Sequence, residues 1–380
     1  MRKSVVVLIL LCAVSISGSV EVGENPAERP GDDLVWQGIY AFYSSEFEKS
    51  VTVLTSARKE FPAHPAVHFT WAVSRWLRTQ AYVGIKESYN VLEESLDEVI
   101  PIYQQYISDA PEIPEYRLYF AASKSLMARM HLGRKEWLGV LVEGVKGYRG
   151  VLVVHRENPE LWDAFMPVGL LNFFAGNMSP LIQFLAGFFG IEADRELGLR
   201  QLKTAAERGE YSWIETSQIL VFIYLWMDDD FEDALEVTEM LIERLPQSLY
   251  NQHLYTETLI RLNRLTEAEE NLNKTYAMAE TMPLVSTSAW LPTLKYHDAL
   301  LNFYRSNYDK AFEMVNQSID EFATELDTPL GFGYLLRGQI HDMRGERPLA
   351  VADYRAALQL NNYSSAMDKA RTYLRFPYSE

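Results

Sequence analysis

Cysteine is almost absent from the sequence: Cys12 is the single one among 380 residues. It lies in an apolar run near the N-terminus, so removal of that run as an export signal would leave a chain without any thiol. Disulfides are then excluded as a source of stability. A secreted eukaryotic protein of this length would ordinarily contain disulfides, so their absence favours a bacterial envelope protein.

Positive charge is also scarce, with 35 Lys and Arg against 52 Asp and Glu and a net charge of −17. Loss of Arg2 and Lys3 with the signal would make the chain still more acidic. Binding to nucleic acid depends on Lys and Arg that neutralise phosphates, and adhesion to anionic lipid depends on the same charges. We therefore expect no nucleic-acid partner and no adhesion to anionic lipid through charge alone. Solubility is the simplest reason for such acidity.

Catalytic and metal-binding motifs are missing as well. The sequence has no His-Glu-x-x-His, no phosphate-binding loop that ends in Gly-Lys-Ser/Thr, and no Gly-x-Ser-x-Gly elbow. His64 and His68 are four residues apart, but Pro65 interrupts them and no third ligand is close in sequence. We expect no enzyme activity, no cofactor and no metal site.

The first residues have the pattern of an export signal. Met1-Arg2-Lys3 is positively charged, Val5 to Val14 is apolar but too short to span a bilayer, and small residues follow. We predict a signal peptide at 1–19, cleaved between Ser17 and Ser19, a flexible leader at 20–31, and a location in the periplasm or cell envelope. An uncleaved anchor and a lipoprotein signal at Cys12 are alternatives, although Leu10-Leu11 is a poor context for lipidation.

Beyond residue 31 the pattern is helical almost everywhere, and no alternation that would indicate a strand persists. Proline removes a backbone donor and disfavours helix in the residue before it, so it indicates helix ends. The predicted stops are Phe61-Pro62, Asp109-Ala110-Pro111, Asn158-Pro159, Leu245-Pro246 and Met282-Pro283. Such spacing predicts a series of helical hairpins.

A 34-residue repeat of two antiparallel helices, with small residues where the helices cross, fits the spacing in five registers. The residues that define them are Gly38, Ser50, Leu54, Ala57 and Pro62; Ala234 and Pro246; Ala268; Ala311; and Tyr334, Gly338, Ala350, Tyr354 and Ala357. We predict an all-α, tetratricopeptide-like α-solenoid at 32–380. Its parts are N-terminal repeats at 32–110, atypical central helices at 111–210 and C-terminal repeats at 211–380.

Trp36-Gln37-Gly38 with Phe47 to Ser50 resembles the first repeat of exported bacterial tetratricopeptide proteins. The stretch from Gly169 through Asp194-Arg195-Glu196-Leu197-Gly198 to Ala205-Ala206 resembles a family that includes eukaryotic tetratricopeptide proteins linked to the mitochondrial outer membrane and to inclusion-body clearance. The resemblance implies helical repeats and a binding role, with no established reaction.

From Ala164 to Ile191, 28 successive residues carry no charge. The preferred interpretation is a buried apolar helical hairpin at the centre of the solenoid, because Gly176-Asn177-Met178-Ser179-Pro180 is typical of a turn with Pro at the first helical position. Membrane or lipid contact and a true membrane span are the alternatives. The residues predicted for a membrane contact are Phe173, Phe174, Phe184 and Phe188.

The first helices of successive tetratricopeptide units line a concave groove. By register, the residues there are Tyr250, His253, Glu257, Arg261, Tyr296, Phe303, Tyr304, Gln339 and Asp342. Aromatic side chains with a few polar groups suit peptide recognition, although packing between repeats explains each aromatic equally well. The resulting hypothesis is a non-catalytic scaffold of the cell envelope that holds a protein or peptide partner in this groove. A lipid- or membrane-associated module that acts through residues 164–191 is the alternative.

Overall fold

A computed structural model describes residues 29–324 and 326–379. Within these ranges the regular elements are helices and no strand is present. The predicted export signal and most of the leader lie outside the described residues. The helices are α1 (Asp32–Tyr43), α2 (Phe47–Glu60), α3 (Val67–Tyr82), α4 (Ile85–Asp109), α5 (Pro114–Gly133), α6 (Trp137–Glu157), α7 (Phe165–Gly176), α8 (Pro180–Gly187), α9 (Arg195–Arg208), α10 (Trp213–Ile223), α11 (Phe231–Arg244), α12 (Leu249–Arg261), α13 (Leu265–Glu280), α14 (Leu284–Tyr304), α15 (Tyr308–Asp320), α16 (Thr328–Met343), α17 (Arg347–Leu360) and α18 (Ser365–Arg375).

Most of these helices pack in consecutive pairs, such as α1 with α2, α3 with α4, and α16 with α17. The two helices of a pair are joined by very short turns, so they run antiparallel. This array of helical hairpins confirms the predicted tetratricopeptide-like α-solenoid. A three-residue turn reverses the chain because its central residue is left-handed, and the residues in that position are Ser45 (φ 64°), Lys135 (63°), Asn263 (59°), Ser306 (61°) and Gly345 (72°).

The predicted crossing positions of the repeat are in contact. A Cβ on Gly38 would lie 2.4 Å from Leu54, and one on Gly338 would lie 2.5 Å from Tyr354. The glycine on the first helix of each of these hairpins therefore leaves room for the large side chain on the second helix. This complementary pair fixes the distance between the two helices of a hairpin.

The predicted proline stops are confirmed, since α2, α4, α6, α11 and α13 each end within three residues of the expected proline. Two other prolines, Pro101 in α4 and Pro292 in α14, lie inside long helices. The carbonyl of Pro292 accepts a hydrogen bond from Ser318 Oγ at 2.7 Å. Proline by itself thus does not locate a helix end in this chain.

By packing, the described residues divide into two compact units, and the division falls within α10, between Ile219 and Leu220. In the first unit, residues 29–219, the ring of Trp36 on α1 stacks on Tyr211 with centroids 5.0 Å apart. In the second unit, residues 220–379, Asp229 contacts Ser365 and Lys369 of α18. Residues near the end of each unit therefore contact residues near the start of the same unit.

The pair formed by α7 and α9 differs from the others because α8 lies between its two members. Asn177 (φ −85°, ψ −4°) and Ala193 (φ 51°) have nearly the backbone angles of Ser44 (φ −84°, ψ 8°) and Ser45 (φ 64°) in the turn after α1. The ordinary turn is therefore present, and residues 178–192 are inserted into it. We call residues 178–192 the insertion.

Candidate functional site

The insertion presents an apolar helix to solvent. No residue of α8 is buried. Leu181, Phe184 and Phe188 are 68%, 66% and 69% exposed. The rings of Phe184 and Phe188 pack edge to face with centroids 5.2 Å apart. A cluster of exposed apolar side chains on a folded protein indicates a contact surface for another molecule.

Hydrogen bonds hold both ends of the insertion to the repeat array. The amide of Gln183 donates to the carbonyls of Gly176 and Met178, each at 2.9 Å. At the other end, the backbone N–H of Glu192 donates to Asn172 Oδ1 at 3.0 Å, and the Tyr148 hydroxyl donates to the Gly190 carbonyl at 3.1 Å. The helix is therefore presented in a fixed position, although its own side chains cover little of the array.

The first half of the uncharged segment has the opposite environment, because α7 is a core helix. Phe173 and Phe174 are 0% and 1% exposed, which removes them from any membrane contact. Of the four phenylalanines predicted for that contact, only Phe184 and Phe188 are accessible. The expected buried hairpin is not confirmed, since α7 pairs with α9 and α8 stays exposed. No helix among the described residues is long and apolar enough to cross a bilayer.

Close backbone approach explains why α7 pairs with α9. A Cβ on Gly198 would lie 2.3 Å from the backbone nitrogen of Phe173, and one on Gly169 would lie 2.9 Å from the Gly198 carbonyl oxygen. The side chain of Asp194 caps α9 by accepting a hydrogen bond from the N–H of Leu197 at 2.9 Å. The residues on which the family resemblance rests therefore let α7 and α9 pack closely and cap the start of α9.

A second apolar strip lies on α6, along the face that continues to the insertion. Tyr148 and Leu152 are buried, and Ile191 of the insertion packs against the cluster that contains them. Towards the start of the helix, Leu138 and Leu141 are 75% and 58% exposed. The insertion therefore covers one end of an apolar stripe and leaves the other end open.

Four of the predicted groove residues form a buried polar cluster. Glu257 is fully buried and accepts hydrogen bonds from Arg261 at 2.9 Å and from the Tyr296 hydroxyl at 3.2 Å. Its second oxygen accepts from Trp226 Nε1 at 3.0 Å and contacts His297 Nε2 at 3.3 Å. Both carboxylate oxygens are therefore engaged by groups of the protein itself, and the cluster stabilises this unit.

Burial by itself would raise the pKa of Glu257. The contact with His297 and the charge of Arg261 outweigh that effect and lower the pKa of Glu257 to about 2. The residue is therefore a permanently ionised partner of Arg261. A carboxylate with such a pKa is a poor proton acceptor for catalysis.

His253 completes this cluster by stacking. Its ring lies 5.6 Å from that of His297 at an interplanar angle of 16°, and 5.1 Å from that of Trp290. Burial and the nearby His297 lower the pKa of His253 well below its ordinary value. Tyr250 packs edge-on against His253 with centroids 5.0 Å apart. The predicted groove aromatics therefore pack on one another, which is the packing alternative that the sequence left open.

The other predicted groove residues face the C-terminal segment of the chain. The rings of Phe303 and Tyr378 have centroids 6.0 Å apart, and Asp342 accepts a hydrogen bond from the Tyr378 backbone N–H at 2.8 Å. Gln339 is hydrogen-bonded to Tyr373 on α18, and Tyr304 lies close enough to influence the pKa of Tyr373. The structure thus brings these residues together, but around the protein's own α18 and tail.

A polar cluster in the first unit was not predicted from the sequence. Asp32 contacts His64 Nε2 at 2.7 Å and accepts a hydrogen bond from the Tyr211 hydroxyl at 2.6 Å. His64 Nδ1 accepts from the backbone N–H of Ala66 at 3.2 Å, so both nitrogens of His64 are engaged. The partners are up to 179 residues apart in the sequence, and local spacing carries no signal for such a contact.

Next to this cluster lies a cavity of about 30 Å³, lined by residues that include Tyr119, Asp163 and Tyr211. Asp163 accepts three hydrogen bonds, from the N–H groups of Tyr211 and Ser212 and from Ser212 Oγ. Ligand pockets have volumes of roughly 300–1,000 Å³. This cavity is far smaller than a ligand pocket and has room for a water molecule or two. In the described part of the chain, no group of His, Cys, Asp and Glu is arranged to hold a metal ion.

No family model matches the sequence, and no curated protein does. Solved structures similar to this chain include yeast Tom70, with a TM-score of 0.38 and 10% identity over 90% of this chain and 88% of that one. Human IFIT1, solved as a dimer with m7Gppp-AAAA, has a TM-score of 0.42 and 11% identity over 99% and 87%. A tetratricopeptide repeat protein from Parabacteroides merdae has a TM-score of 0.28 and 14% identity over 91% and 97%. These similarities concern the helical-repeat fold.

Proposed function

We propose that this chain is a non-catalytic protein-binding scaffold of the cell envelope and that its partner docks on the insertion. The exposure of Leu181, Phe184 and Phe188 on an uncharged helix carries the proposal. In repeat proteins an insertion into one repeat projects from one face of the array, and that face is often the binding face. The open apolar end of α6, at Leu138 and Leu141, extends the same surface.

The docking surface is placed here rather than in the groove because of what each surface already contacts. In the second unit, Glu257 is already hydrogen-bonded to Arg261, and Asp342 is already contacted by the C-terminal tail. The apolar side chains of α8, by contrast, remain largely exposed to solvent in the folded chain. Burial of exposed apolar surface favours association by roughly 25 cal/mol per Å² before the entropic cost of binding is subtracted.

Export to the periplasm or cell envelope is part of this proposal. It is supported by the basic start at Arg2-Lys3, the short apolar run that follows, and the absence of cysteine beyond Cys12. The net charge of −17 supports a protein partner over nucleic acid.

Contact with a lipid surface through the same helix is the second candidate. The exposed, uncharged helix α8 and the paired rings of Phe184 and Phe188 favour it. An interfacial helix of this kind would rest on apolar burial alone, because the insertion has no Lys or Arg to attract anionic headgroups.

A photo-crosslinker placed at Leu141, on the open apolar end of α6 and 58% exposed, followed by mass spectrometry of material from cells, tests the proposal. We expect one reproducible protein adduct, lost in the double substitution Phe184→Glu and Phe188→Glu. Leu349→Glu is the matched control, since Leu349 is 51% exposed on another helix, α17. Flotation with phosphatidylcholine vesicles separates the two candidates. Flotation that the double substitution abolishes, without any protein adduct, would replace the scaffold by the lipid-contact function.

A further inference from the structure

The C-terminal helix α18 closes the second unit by contacts that span most of its sequence. Lys369 Nζ donates a hydrogen bond to Asp229 Oδ1 at 2.7 Å, and Ser365 Oγ donates to the same oxygen at 2.9 Å. Beyond the helix, the Tyr378 N–H donates to Asp342 at 2.8 Å, and Arg347 donates to the carbonyls of Tyr373 and Leu374. We call the surface that receives α18 and the tail the α18 seat.

Little apolar surface holds α18 in this seat. Its buried residues are Ser365, Ala366, Met367 and Ala370, and of these only Met367 has a large apolar side chain. The opposite face, with Asp368, Arg371 and Arg375, is exposed. Polar contacts such as that of Lys369 with Asp229, both 31% exposed, are readily exchanged for water. Two ring contacts add to this, that of Tyr373 with Tyr354 and that of Tyr378 in the tail with Phe303. Release of α18 and the tail therefore exposes one large buried apolar side chain, Met367, and breaks these two ring contacts.

The connection before α18 has an unusual backbone. Asn361 and Tyr363 have φ angles of 52° and 59°. No other described residue between the end of one hairpin and the start of the next is left-handed. Left-handed geometry disfavours a bulky side chain such as that of Tyr363. Asn362 between them is anchored, because its amide donates to Asp327 Oδ1 at 3.0 Å. The strain thus lies at a single pivot, Tyr363, immediately before the helix.

We propose that α18 exchanges between two copies of this chain, each copy placing its α18 and tail in the seat of the other. A weakly buried terminal helix on a strained connection is the arrangement that favours exchange, because the same contacts reform while the strain at the pivot is relieved. The seat is fitted to one helix that the structure shows, with Asp229 opposite Lys369, so a second copy supplies the matching occupant. This exchange is independent of any partner that docks on the insertion.

Zero-length carbodiimide coupling of the full chain tests the proposal, because it joins Lys369 to Asp229 only where the two side chains touch. Isotope-labelled and unlabelled chains are mixed, incubated, coupled and digested. We expect coupled peptides with one labelled and one unlabelled half, in a share that rises with protein concentration. Light scattering should show a dimer over the same range. Lys369→Arg, which keeps the charge but yields no such amide, identifies the coupled product.

Two substitutions at the pivot give opposite expectations. Tyr363→Gly accepts the left-handed angle without strain and should lower the mixed share and the dimer several-fold. Tyr363→Pro fixes φ near −65°, which is incompatible with the closed form, and should raise both several-fold. Two results would show that exchange does not occur. In the first, every coupled peptide from the unsubstituted protein and from both variants joins two halves with the same label. In the second, Tyr363→Pro releases α18 while the chain stays monomeric.

Discussion

Gly176 lies against the backbone nitrogen of Arg195, so closely that a Cβ would be only 2.4 Å away. The two residues flank the insertion, and their contact means that it begins and ends at one point of the array. The repeat is therefore complete without the insertion, and the apolar helix α8 is an addition to it.

Deletion of residues 178–192 should leave a folded protein. The deletion joins Asn177 to Ala193 and recreates a three-residue turn like that after α1, whose backbone angles these residues already have. We expect a helical signal by circular dichroism that falls only by the 8 residues of α8, and complete loss of the crosslinked partner. Loss of the helical signal would show that the insertion is required for folding rather than for binding.

Gly198→Ala should destabilise the first unit. The new Cβ would lie 2.3 Å from Phe173 N and 2.6 Å from Gly169 O, and backbone atoms cannot move aside separately. We expect a loss of about 1–3 kcal/mol or more in the free energy of unfolding, measured with urea. Gly187→Ala is the control, because no atom lies within 4 Å of its Cβ, and it should change stability by less than about 0.5 kcal/mol. Equal effects of the two substitutions would contradict the close approach of α7 and α9.

Glu257→Ala should destabilise the second unit strongly. It leaves the buried guanidinium of Arg261 and the indole N–H of Trp226 without their acceptor. Breaking a buried ion pair in this way costs about 3–5 kcal/mol. Glu267→Ala removes an exposed partner of Arg264 and should leave the unfolding midpoint unchanged. A small effect at Glu257, measured by urea unfolding, would mean that the cluster is open to water.

The free energy of unfolding should decrease as the pH is lowered below about 6.5, the ordinary pKa of histidine. Burial lowers the pKa of His68 to about 4, with Arg58 adding to the effect and Glu98 opposing it. Because the unfolded chain binds this proton more tightly, stability is complete above pH 6.5 and declines as pH falls towards 4, by about 1.4 kcal/mol per pH unit for each such histidine. His253 contributes in the same direction.

Urea unfolding at a series of pH values measures this slope. His68→Gln keeps a side-chain donor for the Pro62 carbonyl but cannot titrate, so its stability should depend less steeply on pH between 6.5 and 4. Leu349→Gln introduces the same side chain at an exposed position that does not titrate, and it should leave the slope unchanged. A slope that the His68 substitution does not alter would show that another group controls the acid sensitivity.

The contacts along one hairpin could be read from the sequence. Gly38 with Leu54, and Gly338 with Tyr354, were placed in register by spacing alone, because a small residue must face a large one where two helices cross. The family motif from Gly169 to Gly198 likewise has a local meaning in helix packing and capping. These features depend on neighbours within one repeat, and such neighbours are close in sequence.

That this protein is an array of helical hairpins follows from local sequence, since helical periodicity, small residues at crossings and most helix stops are encoded locally. Which apolar helix is covered depends on the packing of the folded chain. Phe173 and Phe184 belong to the same uncharged segment, yet one is in the core and the other is in solvent. Likewise, only the structure showed that Phe303 and Asp342 of the predicted groove contact Tyr378 in the protein's own C-terminal tail. The burial of a side chain depends on which other parts of the chain pack against it. Local periodicity carries no information about partners that are more than a hundred residues away in the sequence.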